Sequence, residues 1–219
     1  MFAGHVGAAL AIGRAERQVN VGVFVTAALL LDLVLWLLVL LGWESVIVPA
    51  DFATTHQVAF DFPYSHSLLA GAAWSVLAGI AAYIGYGRLK RAKLRTAALI
   101  AAAVFSHWLL DALVHAPELP LAGAGSVKVG LGLWQNMPLA LITETAIVLA
   151  GLSLFIADTR LSRAKAIWLS LLSMLLAAFT AIGMTIAPPP PSAPAMAGSS
   201  LATLIVVCAL VCWLGKASR

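Results

Sequence analysis

From Ala97 to Ala116 the chain is apolar over a length that can cross a bilayer, yet it carries His107, Asp111 and His115 at steps of four residues. On a helix these three side chains stack along one face. An ionisable group in hydrocarbon costs at least about 2.5 kcal/mol even on lenient insertion scales, so this face must meet a protein interior, a water-filled cavity or a bound cation. The fold is thereby confined to helices that are polar inside and apolar outside.

A hydrophobic content of 62%, a charged content of 10% and a mean hydropathy of +1.00 over 219 residues exclude an ordinary soluble core. The expected fold is all-α: a polytopic membrane helix bundle forming a single integral-membrane domain over residues 1–219, with about six transmembrane helices plus an N-terminal half-helix. Five or six spans are expected near residues 19–42, 64–87, 96–115, 137–157, 164–187 and 200–215. The net charge of +4 resides in short clusters between apolar segments, where it sets orientation, and carries no nucleic-acid signal. Cys208 and Cys212 lie one helical turn apart; small apolar packing is the reading favoured over soft metal ligands.

Residues 2–13 are apolar but too short to span, and the basic residues follow them, which is the wrong order for a signal peptide. The segment reads as a half-helix dipping in from the cytoplasmic side with His5 near its tip, or as an interfacial helix with a surface histidine. Arg14 and Arg17, the cluster Arg88, Lys90, Arg91, Lys93 and Arg95, the trio Arg160, Arg163 and Lys165, and Lys216 with Arg219 fall in alternate connections. By the positive-inside rule both termini are cytoplasmic and loops 43–63, 116–136 and 188–199 face outward. The last of these, rich in proline, is expected to be an extended spacer. Gly130-Leu-Gly-Leu-Trp134 suggests tight packing over the outer mouth, and Asn136 with Pro138 suits a helix start.

Counting at about 1.5 Å per residue from the nearest cytoplasmic arginine places His5 roughly 13 Å deep, His107 roughly 18, Asp32 roughly 22, and Asp111 and Glu144 roughly 24. His115 and His66 come out at roughly 30 and 33 Å, giving a deep and a shallow tier. Imidazole nitrogens with carboxylate oxygens are the ligand set of a divalent transition metal, and His107 with Asp111 at i and i+4 can hold one ion. A proton or ion pathway of a transporter needs the same groups, and hydrogen bonds between helices are a third use for them.

His5 among small residues, Asp32 in an apolar run, Tyr64-Ser-His-Ser67 and Ser106-His-x-x-Leu-Asp111 resemble the ordered motifs of the YdjM-like bacterial inner-membrane proteins, named membrane-bound metal-dependent hydrolases. Pro63-Tyr-Ser-His-Ser-Leu68, Ser106 to Leu121 and Gly130 to Trp134 resemble a branch of that group often labelled permease. The similarity covers residues 1–145 and leaves the last two spans without a motif. It implies His5, Asp32, His66, His107 and Asp111 as metal ligands, for Zn2+ or else Mn2+ or Fe2+. Leu31-Asp32-Leu33-Val34 stands where the broader family has Pro-Asp-x-Asp, and residues 61–67 lack its first histidine and its arginine. These departures bear on a second metal and on the substrate pocket, and the missing arginine argues against an inherited phosphate clamp.

The expected mechanism is metal-assisted hydrolysis, in which the ion lowers the pKa of bound water from about 15.7 toward about 7 while Glu144 or His115 accepts the proton. Glu118, Trp134 and Asn136, at the outward mouth, are the candidate substrate contacts. A membrane lipid or lipid-linked small molecule is the expected substrate. The alternative is a proton- or ion-coupled permease built on the same buried cluster.

Overall fold

Without water, a backbone must satisfy its own hydrogen bonds, and the long apolar segments accordingly fold as helices. The computed structural model describes residues 1–87, 93–159 and 161–216. In chain order the elements are α1 (Phe2–Gly13), α2 (Val21–Ala28), α3 (Leu30–Leu40), β1 (Ser45–Ile47), α4 (Phe52–Thr55), β2 (Ala59–Asp61), α5 (Leu68–Gly85), α6 (Lys93–Val114), β3 (Leu119–Pro120), β4 (Lys128–Val129), α7 (Met137–Ile156), α8 (Arg163–Thr185) and α9 (Ala193–Leu214). The helices α5 to α9 are long and apolar enough to cross a membrane, and α2 with α3 makes a sixth span if the bent pair counts as one.

Polarity is inverted relative to a soluble protein. Leu69, Val76, Leu77, Ile80 and Ile84 are exposed along α5, and Ile167, Leu171, Leu175 and Ile182 along α8, whereas His5, His66, His107, Asp111 and Glu144 are buried. An outward apolar surface with an inward polar cluster is what a lipid environment selects.

Helix α1 occupies the centre. None of its residues is exposed, though Phe2, Ala8, Ala11 and Ile12 are only half-buried, and it packs against α2, α6, α7 and α8. Close approach is possible because Gly7 faces the α7 backbone. A Cβ there would lie 2.6 Å from the Ile147 carbonyl oxygen, and one on Gly151 would strike Gly7 itself. Gly22 likewise lies against the backbone of Cys212, and Cys208 is buried on the same helix, which bears out the packing role of that pair.

The span expected near residues 19–42 is built from α2 and α3 and is bent by 49° at Leu29, whose φ of −96° and ψ of 4° leave the helical region. Thr26 Oγ1 also bonds back to the Gly22 carbonyl, a contact that bends helices. Next, residues 193–199 are not spacer but the first turns of α9. Pro194 sits in the first turn, where no N–H is required, and Ser192 caps it by accepting from the Ala195 N–H at 3.2 Å. Finally, α5 starts at Leu68 rather than near 64, and loops 43–63 and 116–136 carry short hairpins, Ser45 opposite Asp61 and Leu119 opposite Val129.

Among the described basic residues, Arg14 and Arg17 pair with Asp158, Arg95 donates to the Ala15 carbonyl, and Lys165 donates to that of Lys216. Arg88, Lys90, Arg91, Arg160 and Arg219 of the orientation argument lie outside the described residues.

Candidate metal centre

The bend at Leu29 has a direct chemical use. Ala28 ends α2, and its carbonyl oxygen lies 2.6 Å from His107 Nδ1. A carbonyl can only accept, so Nδ1 carries a proton, and in the neutral imidazole Nε2 presents a lone pair. His66 is arranged alike from the other side: its Nδ1 lies 2.8 Å from Ser65 Oγ, whose own hydroxyl lies 2.7 Å from Glu44 Oε2. Its carbonyl accepts from the Trp108 indole at 3.0 Å and Phe62 stands edge-on to the ring, which leaves the imidazole one orientation.

The two Nε2 atoms face each other at 3.2 Å. Asp111 Oδ2 lies 3.0 Å from His107 Nε2 and 3.4 Å from His66 Nε2, and Asp32 Oδ1 lies 3.6 Å from both. Four ligands around a transition dication at bonds of about 2.05 Å stand about 3.3 Å apart at the corners of a tetrahedron. The separations present match that spacing. His66, His107 and Asp111 form one group able to hold an ion, and His5, Asp32 and His107 form another.

His5 completes the cluster differently. Its ring stacks on that of His107 at 3.7 Å with 9° between planes, and Nε2 lies 3.2 Å from Asp111 Oδ1. Neither ring nitrogen makes a directional hydrogen bond, although the residue is fully buried. A buried polar group left without a partner is uncommon and fits a site that holds a cation. Asp111 divides its oxygens: Oδ2 serves the imidazole pair, while Oδ1 faces His5 and the α-amino group of Met1 at 3.3 Å.

The two tiers expected by counting therefore merge. His66 belongs to the deep cluster because it lies not on α5 but in the turn before it, which folds inward. His115, just past the end of α6, has Nε2 4.0 Å from Asp111 Oδ1. Glu118 does not stand free for substrate: its Oε1 lies 2.5 Å from His115 Nδ1 and its Oε2 accepts from Phe60 N–H at 3.5 Å. Trp134 packs on the His115 ring at 4.2 Å. The preceding segment is seated on α6 as its glycines suggested, with Leu131 N–H bonded to the Ala112 carbonyl and Gly132 N–H to that of His115. Asn136 instead caps α7 by accepting from the Leu139 N–H at 3.2 Å, a structural task. Glu144, buried on α7, accepts from the Gly4 N–H at 3.0 Å and so ties α7 to the tip of α1.

Above the cluster opens a cavity of about 580 Å³, with Asp32, His66, Asp111, His115 and Glu144 at its polar end. Its walls are apolar, among them Leu35, Trp36, Phe60, Phe179 and Met184, with Ser199, Ser200 and Thr203 of α9 on one side. Among the described residues no Lys or Arg lines it. The β1–β2 hairpin and α4 cover it, with His56 Nδ1 3.0 Å from the Ala187 carbonyl and Gln57 Nε2 donating to that of Trp134 at 3.0 Å.

Sequence reasoning missed Ser65 and Glu44. Ser65 lies within a motif that does not single it out, and the position of Glu44 depends on the Ser45–Asp61 register of a hairpin that the apolar pattern does not reveal. Burial raises the Glu44 carboxyl above its ordinary range, while hydrogen bonds from Ser65 and Tyr64 pull the other way. Comparison with family models, curated proteins and solved structures finds no match to this chain.

Proposed function

We propose that this protein is a membrane-embedded metal-dependent hydrolase of the YdjM-like kind, acting on an amphiphilic or lipid-linked substrate. The observation that carries the reading is the pair of imidazole nitrogens, His66 Nε2 and His107 Nε2, 3.2 Å apart with Asp111 Oδ2 beside both. Nitrogens facing each other at that distance need a proton or a metal cation between them. His66, His107, Asp111 and Asp32 would hold the ion, with His5 against it, and Zn2+ suits this N/O set best. When bound, such an ion supplies Lewis acidity that makes water a competent nucleophile near neutral pH.

The remaining work falls to the chain's own residues. Glu118 holds Nδ1–H of His115, so His115 Nε2 faces the cluster ready to take a proton from water, with Trp134 packed on the ring. Glu144, anchored on Gly4 N–H, is the second candidate base. The apolar walls accept a hydrocarbon tail, and three carboxylates without Lys or Arg in the lining suit an uncharged or cationic head. The bacterial inner membrane, with both termini cytoplasmic and the cavity opening outward, is the location consistent with the basic clusters.

Metal analysis of detergent-purified protein tests this reading. Roughly one equivalent of Zn, Mn or Fe is expected, lost in His107→Ala and Asp111→Ala. Protein that is folded, metal-free and indifferent to chelators overturns it. That outcome favours the second reading, a proton-coupled permease in which a shared proton joins the two imidazoles; the bent α2–α3 pair beside the cluster resembles the discontinuous helices at transporter sites.

A further inference from the structure

We propose that Glu44 and Ser65 form a positioning relay that fixes the tautomer of His66 and thereby keeps its Nε2 lone pair turned into the cluster. The inference rests on the metal-site reading for its consequence, though not for its geometry. Glu44 lies in the outer loop, 21 residues from Ser65, yet it is buried with 4% of its surface exposed. Its Oε1 accepts the backbone N–H groups of Tyr64 and Ser65, each at 2.8 Å, and its Oε2 accepts the Ser65 hydroxyl at 2.7 Å. The antiparallel register explains the meeting: Ser45 pairs with Asp61, so the residue before β1 lies beside the turn that follows β2.

A hydroxyl has one proton to give. With that proton committed to the carboxylate, Ser65 Oγ can only accept from its other neighbour, His66 Nδ1 at 2.8 Å. Nδ1 therefore carries hydrogen, and in the neutral imidazole Nε2 carries none. His107 reaches the same state through a backbone carbonyl, which cannot reverse; the His66 relay can, because a hydroxyl works in either direction. Glu44 is what sets that direction. It touches neither the cavity nor the cluster, so its role is to position His66 through Ser65.

This directionality yields a discriminating variant. In Glu44→Gln the amide oxygen still accepts the two backbone N–H groups, but the amide NH2 replaces Oε2 and donates to Ser65 Oγ. The serine proton is then released toward His66 Nδ1, and the imidazole adopts the Nε2–H form that cannot ligate inward. Ser65→Ala removes the link altogether, while Ser65→Thr keeps a hydroxyl.

The experiment is 15N NMR of imidazole-labelled full-length protein, stripped with chelator, with the His66 signals assigned by His66→Gln, alongside titration with Zn2+. Wild type and Ser65→Thr are expected to show the Nδ1–H tautomer at His66. Glu44→Gln is expected to show the Nε2–H tautomer, and Ser65→Ala a mixture, with Zn2+ affinity lowered about 10- to 100-fold in both, as for other outer-shell partners. Unchanged His66 signals in both Glu44→Gln and Ser65→Ala overturn the relay, whatever the protein does with zinc. A tautomer shift in protein whose wild type binds no metal upholds the relay and sinks the metal-centre reading. Should Glu44→Gln fail to fold, the contrast between Ser65→Ala and Ser65→Thr decides alone.

Discussion

At the scale of single residues, the question is which acids hold an ion and which move protons. Asp111→Asn keeps size and hydrogen bonding but offers an amide, a poor ligand for a transition dication, and is expected to leave the purified protein without metal. His115→Gln and Glu144→Gln should retain it, because neither belongs to the groups able to hold an ion: His115 Nε2 stands 4.0 Å from Asp111 Oδ1, and Glu144 is engaged by Gly4 N–H. Elemental analysis of the three variants checks this, and loss of metal in Glu144→Gln equal to that in Asp111→Asn makes Glu144 a ligand rather than a base. Once a substrate is found, His115→Gln should lower turnover about 10²- to 10⁴-fold. The convergence of His5, Asp32, His107 and Asp111 was legible because helical rise converts residue number into depth. The place of His66 was not, since a turn has no fixed rise, and the engagement of Glu118 with Phe60 depends on a contact that spacing does not encode, whereas Asn136 with Pro138 did mark the start of α7.

Among the elements, α1 carries the heaviest structural demand. It reaches the centre only because glycines at the α1–α7 crossing let two backbones touch, so Gly7→Val is expected to force the helices apart and cost at least about 1–3 kcal/mol, as overpacking does. Thermal unfolding in detergent measures it against Gly85→Ala, which has nothing within 4 Å of the added Cβ. Equal midpoints for the two variants would mean that α1 is not seated on α7. The spans themselves were legible from apolar length. The break at Leu29 was not, because no proline or glycine marks it, and the early start of α9 was hidden by Pro194, a residue that ends helices but also begins them.

For the whole molecule, composition and hydropathy sufficed to give an all-helical bundle with its apolar surface outward. The distribution of Lys and Arg predicts sidedness: reporter fusions at residue 219 and within residues 188–192 are expected on opposite sides of the membrane, and the same side for both refutes a crossing by α9. The central position of α1 also sets a schedule. Helix α1 has α2 next to it in the chain, but its most extensive partner, α7, is complete only after residue 156 has been added, roughly 7–30 seconds later at about 5–20 residues per second. Until then His5 has no His107 to stack on and Glu144 does not exist to receive the Gly4 N–H. The short helix must wait at the membrane surface or in the insertion machinery while the spans up to α7 are threaded, and the centre can close only when a segment made well before α7 slides in against it.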